Sequence, residues 1–334
     1  MKQIDFFYEV LVMKAVQVKK PGGAEVLELV NLPKPVLKKG WSLVKVLGFG
    51  VNRSEVFTRQ GYSPSVVFPR VLGIECVGII EESSDESYFK KGQLIISIMG
   101  EMGRDYDGSY AEYVLIPNQS IYPIKTSLSL EKLVSLPESY YTAFGSMKQL
   151  QIKENDRILV RSGASGLGIA FLKLVKALDI SVEITASVRH ERKVNQLKEA
   201  GFDKVILEKN CQLETQETYD KLLDLVGPKV IDDNLKHLSE NGIICIVGLL
   251  GGQWDLENFD PIMSLKNRTY LTAFYSGMVT KAELLEMLTF IENQKVDIPK
   301  PKIYSLDQIQ EAHQFIEGTD AFGKAIVLLE DNRG

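Results

Sequence analysis

A run of small residues has the plainest potential for chemistry. RILV-RS-GASGLG-IAFLKLVKAL reads as an apolar strand, a glycine-rich turn and a helix, the setting in which a dinucleotide-binding fingerprint becomes believable. Gly163 and Gly168 fit the first and third glycines of G-x-G-x-x-G, whereas Ser165 stands at the second and Gly166 follows it. A helix N-terminus offers backbone N–H groups and a positive dipole end, so Ser165, Gly166 and Leu167 could cradle a pyrophosphate. The same residues would also make a close-packed β–α turn that binds nothing.

Some ~20 positions beyond such glycines, an NAD-type site carries an acidic residue for the ribose 2′-OH. Here the place is held by Ser187, and SVRHERK adds Arg189, Arg192 and Lys193 without a carboxylate at the strand end. Arginine forks and a lysine ammonium suit a 2′-phosphate. The residues therefore point to NADPH, with solvated charges opening a surface helix as the plain alternative.

These residues need elements to hold them. From Met13 to about Ile124, Gly and Pro punctuate short runs such as AVQV, EVLELV, SLVKVLGFGV, CVGII and YAEYVLI, which read as strands of a β-rich domain. From Pro137 onward apolar strands alternate with helices near 165–178 and 190–200, which implies a parallel sheet covered on both faces. Beyond Tyr275 come a helix near 281–294, a PKPKIYS strand, a helix near 307–317 and the strand KAIVLLE, a tail expected to return to the first domain.

Composition bounds the function. The chain has 334 residues, 45% apolar and 25% charged, with 39 Lys+Arg against 44 Asp+Glu, a net charge of −5. No basic block offers a nucleic-acid footprint. No apolar stretch approaches the ~20 residues a membrane span needs. Cys76, Cys211 and Cys245 show no C-x-x-C spacing, so neither a disulfide framework nor a structural zinc site is indicated, and a reduced, cytoplasmic protein is expected.

In order, KAVQVKKPGGAEVLELVNLPKP, GFGVNRSEVFTRQGY, VLGIECVGII, GSYAEYVLIP, LPESYYTAFGSM, the GASGLG turn and AFGKAIVLLE resemble the zinc-free quinone oxidoreductases, the zeta-crystallin-like branch of the medium-chain dehydrogenase/reductase superfamily. The resemblance runs from Met13 to about Glu330. It implies an α/β protein with a GroES-like β-barrel catalytic domain at 13–136 and 275–334, an inserted Rossmann NADP-binding domain (a doubly wound parallel sheet) at 137–274, and an N-terminal extension at 1–12. It further implies a homodimer that transfers hydride from NADPH to a quinone or another α,β-unsaturated carbonyl, without zinc. An enoyl-thioester reductase and a non-catalytic NADPH-binding protein are the alternative readings.

In zinc-containing relatives a Cys ligand follows the strand that here ends GFGVN, and a His precedes the Glu of GHE. This chain has Asn52-Arg53 and Gly73-Ile74-Glu75 there, and no metal is expected. His190, His237 and His313 lie outside those motifs and are expected at the surface. Without a Lewis acid, the developing oxyanion needs hydrogen-bond donors or protonation from solvent. Asn52 and Tyr62 match positions lining the family's nicotinamide pocket and are the expected donors, while Phe57 replaces a family tyrosine. Thr142 matches a threonine near the nicotinamide carboxamide, although a helix threonine can also bond its own backbone. Gly248, Gly251 and Gly252 follow the strand GIICIVG, at the sheet edge where ligands cross. Phe274 and Tyr275 are assigned to the cofactor and acceptor pocket.

Overall fold

The computed structural model describes residues 11–265 and 268–329. The expected N-terminal extension lies outside the described residues apart from Leu11 and Val12, and Val12 opens the first strand. The chain divides into two compact units. The first comprises the chain up to Pro137, Ile303–Glu317 and the residues from Ile326 onward; the second comprises Glu138–Lys302 and Gly318–Ala325. Among the described residues no helix is long and apolar enough to cross a membrane.

In the first unit the strands pair antiparallel. Val12–Val18 pairs with Leu27–Pro33 and with Arg70–Val71, and the long strand Trp41–Val51 pairs with Glu75–Ser83 on one side and Tyr113–Pro117 on the other. Trp41–Val51 shifts register twice against Glu75–Ser83, which bends it as bulges do. The alternation visible in AVQV becomes a buried face, with Ala15, Val16 and Val18 fully buried.

The second unit is built on strands Lys204–Lys209, Glu183–Val188, Arg157–Arg161, Tyr219–Asp224, Leu238–Ile246 and Tyr270–Ala273, side by side in that order. All five pairings are parallel, and a two-residue strand, Gln212–Leu213, adds antiparallel at one edge. In chain order this is 3-2-1-4-5-6, the doubly wound arrangement, whose order reverses beside Arg157–Arg161. Runs such as RILV and IICI are continuously apolar because both faces of the sheet are covered; Leu159, Leu222 and Ile244 have no exposed surface. The helix Lys281–Asn293 belongs to this unit as well.

One sequence-based expectation is corrected. His190 is exposed as expected, but His237 is buried and His313 has no exposed surface. Arg59 Nη1 lies 3.3 Å from His313 Nδ1 and Tyr110 Oη lies 3.0 Å from Nε2. A guanidinium only donates, so Nδ1 accepts and Nε2 carries the proton. Arg59, itself fully buried, also holds the Glu317 carboxylate through bonds of 2.8 and 2.9 Å. Helix period predicts which face turns inward, but not that the inward residue is a histidine with two partners waiting for it.

Candidate cofactor and acceptor site

The glycine-rich turn leaves the carboxyl end of Arg157–Arg161 and enters the helix Gly166–Lys176. Ser165 caps that helix, its hydroxyl accepting from Gly168 N at 3.1 Å and donating to Ser162 O at 3.1 Å. Gly163 and Gly168 are required by close approach. A Cβ on Gly163 would lie 2.6 Å from Ala186 Cβ, and one on Gly168 would lie 2.7 Å from the Gly163 carbonyl oxygen. The N–H groups of Gly166 and Leu167 find no acceptor among the described residues, and at a helix N-terminus such groups suit an anion.

At the end of the neighbouring strand, Ser187 is fully buried, and its hydroxyl donates to Glu208 Oε2 at 3.2 Å. Glu208 arrives from the next parallel strand and is held by Arg161 Nε at 3.1 Å. Arg161 also bonds Asn234 and pairs with Asp233, and Asn234 donates to Asp224 at 2.8 Å. Burial pushes the Asp224 carboxyl up to about 6, against the opposing N–H groups of Gly227 and Val226 and the Arg161 charge. This buried network closes the carboxyl ends of the central strands.

The three basic residues differ in what they meet. Arg189 is exposed and has no hydrogen-bond or ion-pair partner among the described residues. Arg192 pairs with Asp320 at 2.9 Å. Lys193 is buried and donates to the Ala321 carbonyl; burial first, then Arg189 and Arg192, pull its ammonium below the ordinary lysine range, with Asp320 opposing.

In the same unit, Thr142 sits in the helix Pro137–Leu150 and donates to Glu138 Oε1 at 3.2 Å, an oxygen that Ser276 Oγ also reaches at 2.8 Å. Phe274 lies against Gly145, where a Cβ would come within 2.1 Å of its ring, and its centroid is 5.7 Å from that of Tyr141. Tyr275 is exposed. Gly248 presses on the backbone, since a Cβ there would lie 2.3 Å from the Leu225 carbonyl oxygen.

In the first unit, Asn52 is the N-cap of the helix Arg53–Arg59. Its Nδ2 donates to Glu75 Oε1 at 2.7 Å and lies 3.4 Å from Glu55 Oε1, while its backbone N–H bonds Glu55 Oε2 at 3.2 Å. Both side chains are buried, so the amide bridges two buried carboxyl groups. Burial foremost, then Glu55 and Glu75, holds the Tyr110 phenol well above its ordinary range. Tyr62 lies past the other end of the same helix, 57% exposed, with its ring edge-on to Phe57. The two expected donors therefore stand at opposite ends of one two-turn helix.

Residues 38–126 match the family described as alcohol dehydrogenase GroES-like domain, and residues 200–327 match the one described as zinc-binding dehydrogenase. The quinone oxidoreductase of Homo sapiens is 28% identical over 338 residues, an alignment spanning 95% of this chain and 98% of that protein. The solved quinone oxidoreductase from Coxiella burnetii shares the fold at a TM-score of 0.82 and 25% identity, over 96% of this chain and 100% of that one. The two matched domains and the quinone oxidoreductases similar along nearly the whole chain support the quinone oxidoreductase branch of the medium-chain dehydrogenase/reductase superfamily. A mycobacterial protein solved in complex with NADPH has the same fold, with a TM-score of 0.81 at 23% identity over 95% of this chain and 99% of that one.

This oxidoreductase thus joins a GroES-like domain to a nucleotide-binding α/β fold. The name of its second matched family raises the question of zinc, and the donor set answers it poorly. Asn52 offers an amide already bridging two carboxylates, and Ile74 an aliphatic side chain, where thiolate and imidazole would be needed. Cys76 is fully buried, and burial foremost, then Glu75, pushes its thiol up. These residues do not fit a zinc site. Among the described residues no three His, Cys, Asp or Glu side chains stand together as a metal-binding group.

Sequence reasoning passed over several residues that contact the expected site residues. Glu55 was findable, because Asn-x-x-Glu is the spacing of a capping box. Glu208, Asp320 and Ala321 left no such signal: their partners are 21 or more positions away, and only the folded chain brings them together.

Proposed function

We propose that this oxidoreductase is an NADPH-dependent, zinc-independent reductase of quinones or other α,β-unsaturated carbonyls. The observation that carries the reading is the capped turn at the order-reversing strand, where the N–H groups of Gly166 and Leu167 lack protein acceptors and exposed Arg189 follows the next strand. Those N–H groups would take the pyrophosphate, and Arg189, with Arg192 and Lys193 beside it, the 2′-phosphate. When bound, the dihydronicotinamide supplies the hydride.

The rest is the work of the chain's own groups. Thr142, fixed by Glu138, and Phe274, seated on Gly145, orient the ring end of the dinucleotide together with Gly248 and Tyr275. The Tyr62 hydroxyl donates to the oxygen on which negative charge develops, and Asn52 holds the adjoining helix in place through Glu55 and Glu75. A preorganised donor of this kind substitutes for a Lewis acid. Two copies are expected to associate, and the sedimentation mass in solution checks this.

Oxidation of NADPH and NADH, measured with quinones, simple enones and enoyl-CoA on chelator-treated protein, tests the function. Turnover with quinones or enones and preference for NADPH are expected. Selective turnover of enoyl-CoA would make it an enoyl-thioester reductase. Tight NADPH binding with no turnover would make it a binding protein, and stoichiometric zinc whose removal abolishes activity would overturn metal independence.

A further inference from the structure

The segment Gly318–Ala325 returns to the second unit after the chain has left it, and it settles on the glycine-rich turn. Gly323 N donates to Ala164 O at 3.0 Å, and Ser165 and Gly323 form a β-bridge. Gly323 adopts φ +69° with open space around it, the left-handed conformation glycine tolerates best. Two residues earlier, the Ala321 carbonyl takes the Lys193 ammonium, and Asp320 Oδ1 lies 2.9 Å from Arg192 Nη2. One short segment therefore occupies two of the three cations after the second strand and leaves Arg189 without a partner among the described residues.

We propose that Asp320 is a specificity-determining residue: its carboxylate occupies Arg192 as an internal competitor of the cofactor's 2′-phosphate and so limits the preference for phosphorylated dinucleotides. This rests on the reading that the turn holds a dinucleotide. A 2′-phosphate approaching Arg192 must displace Asp320 or lie beside a like charge; a dinucleotide with a bare 2′-OH meets neither cost. Asp320 is 80% exposed and Arg192 54%, so the pair is screened and its effect is that of a surface ion pair, a factor of roughly two to five in affinity. Lys193 is different in kind, because its carbonyl partner carries no charge and remains compatible with a phosphate nearby.

Titration calorimetry with NADPH, NADH and adenosine 2′,5′-bisphosphate, on the parent, Asp320→Asn, Arg192→Ala and the double variant, tests the proposal. Asp320→Asn should tighten NADPH and the bisphosphate roughly two- to five-fold and leave NADH unchanged, and the gain should vanish in the Arg192→Ala background. An unchanged NADPH-to-NADH ratio in Asp320→Asn, or a gain that persists without Arg192, overturns it while leaving the dinucleotide reading intact. If the parent binds neither dinucleotide, both fall together.

Discussion

Ser187 Oγ donates to Glu208 Oε2 at 3.2 Å, and the same oxygen accepts from Arg161 Nε at 3.1 Å. The hydroxyl is committed to the interior of the sheet, so Arg189 is left as the exposed group best placed to meet a ribose phosphate. Ser187→Ala should cost roughly 1 kcal/mol of stability and leave the ratio of NADPH to NADH affinity unchanged. Arg189→Ala should weaken NADPH about ten-fold, the worth of one charged hydrogen bond, and spare NADH. Dissociation constants for both cofactors check the pair; a selective NADPH loss in Ser187→Ala would return that residue to the phosphate site.

The glycines of the turn make a different prediction. Gly168→Ala would set a Cβ 2.7 Å from a backbone oxygen, which cannot swing aside as a side chain can. The helix must move, at a cost of roughly 1–3 kcal/mol, and both cofactors should weaken together because the pyrophosphate cradle moves with it. Thermal melts and cofactor titrations on this variant would show it; loss of one cofactor alone would contradict the assignment.

His313 gives stability a pH dependence. Burial, with the Arg59 charge second, pushes it down to about 3 from an ordinary value of 6.5, so the folded state favours the neutral ring. Its contribution is complete above pH 6.5 and is lost as pH falls toward 3, on the order of 5 kcal/mol in all. Asp224, raised by burial, opposes this: the penalty of its charge is relieved as pH falls from about 6 toward 3.8. His313→Gln can still accept from Arg59 and donate to Tyr110, and should flatten the acid limb of denaturant-melt stability between pH 6.5 and 4. An unaltered limb would mean that another group governs it.

Tyr62 and Asn52 should separate activity from stability. Tyr62→Phe removes a hydroxyl from an exposed ring and should lower kcat by about a hundred-fold, the low end of the range for one oxyanion donor, with an unchanged melting temperature. Asn52→Ala strips the amide from two buried carboxylates and should cost roughly 1–3 kcal/mol of stability in addition to rate. Steady-state kinetics beside melting curves distinguish the two; equal melts, or normal turnover in Tyr62→Phe, would contradict these roles.

Local signals in the chain were enough for much of this architecture. RILV, the small residues 163–168 and the helix after them specify a strand, turn and helix without help, because periodicity, glycine and capping act over a few residues. The alternation of such units implied a parallel sheet, and the ordered motifs from KAVQVKKPGG to AFGKAIVLLE carried the family. The destinations of side chains were decided only in three dimensions. Ser187 looks in sequence like a free donor, yet it is consumed by a carboxylate from the next strand. His313 looks like a surface histidine, yet it sits between Arg59 and Tyr110, from segments more than 200 positions away. Asp320, in an unremarked stretch near the end of the chain, reaches Arg192. The physical reason is the same in each case: a hydrogen bond or ion pair depends on a distance of about 3 Å, and sequence spacing says nothing about distance once the chain has crossed from one strand to another.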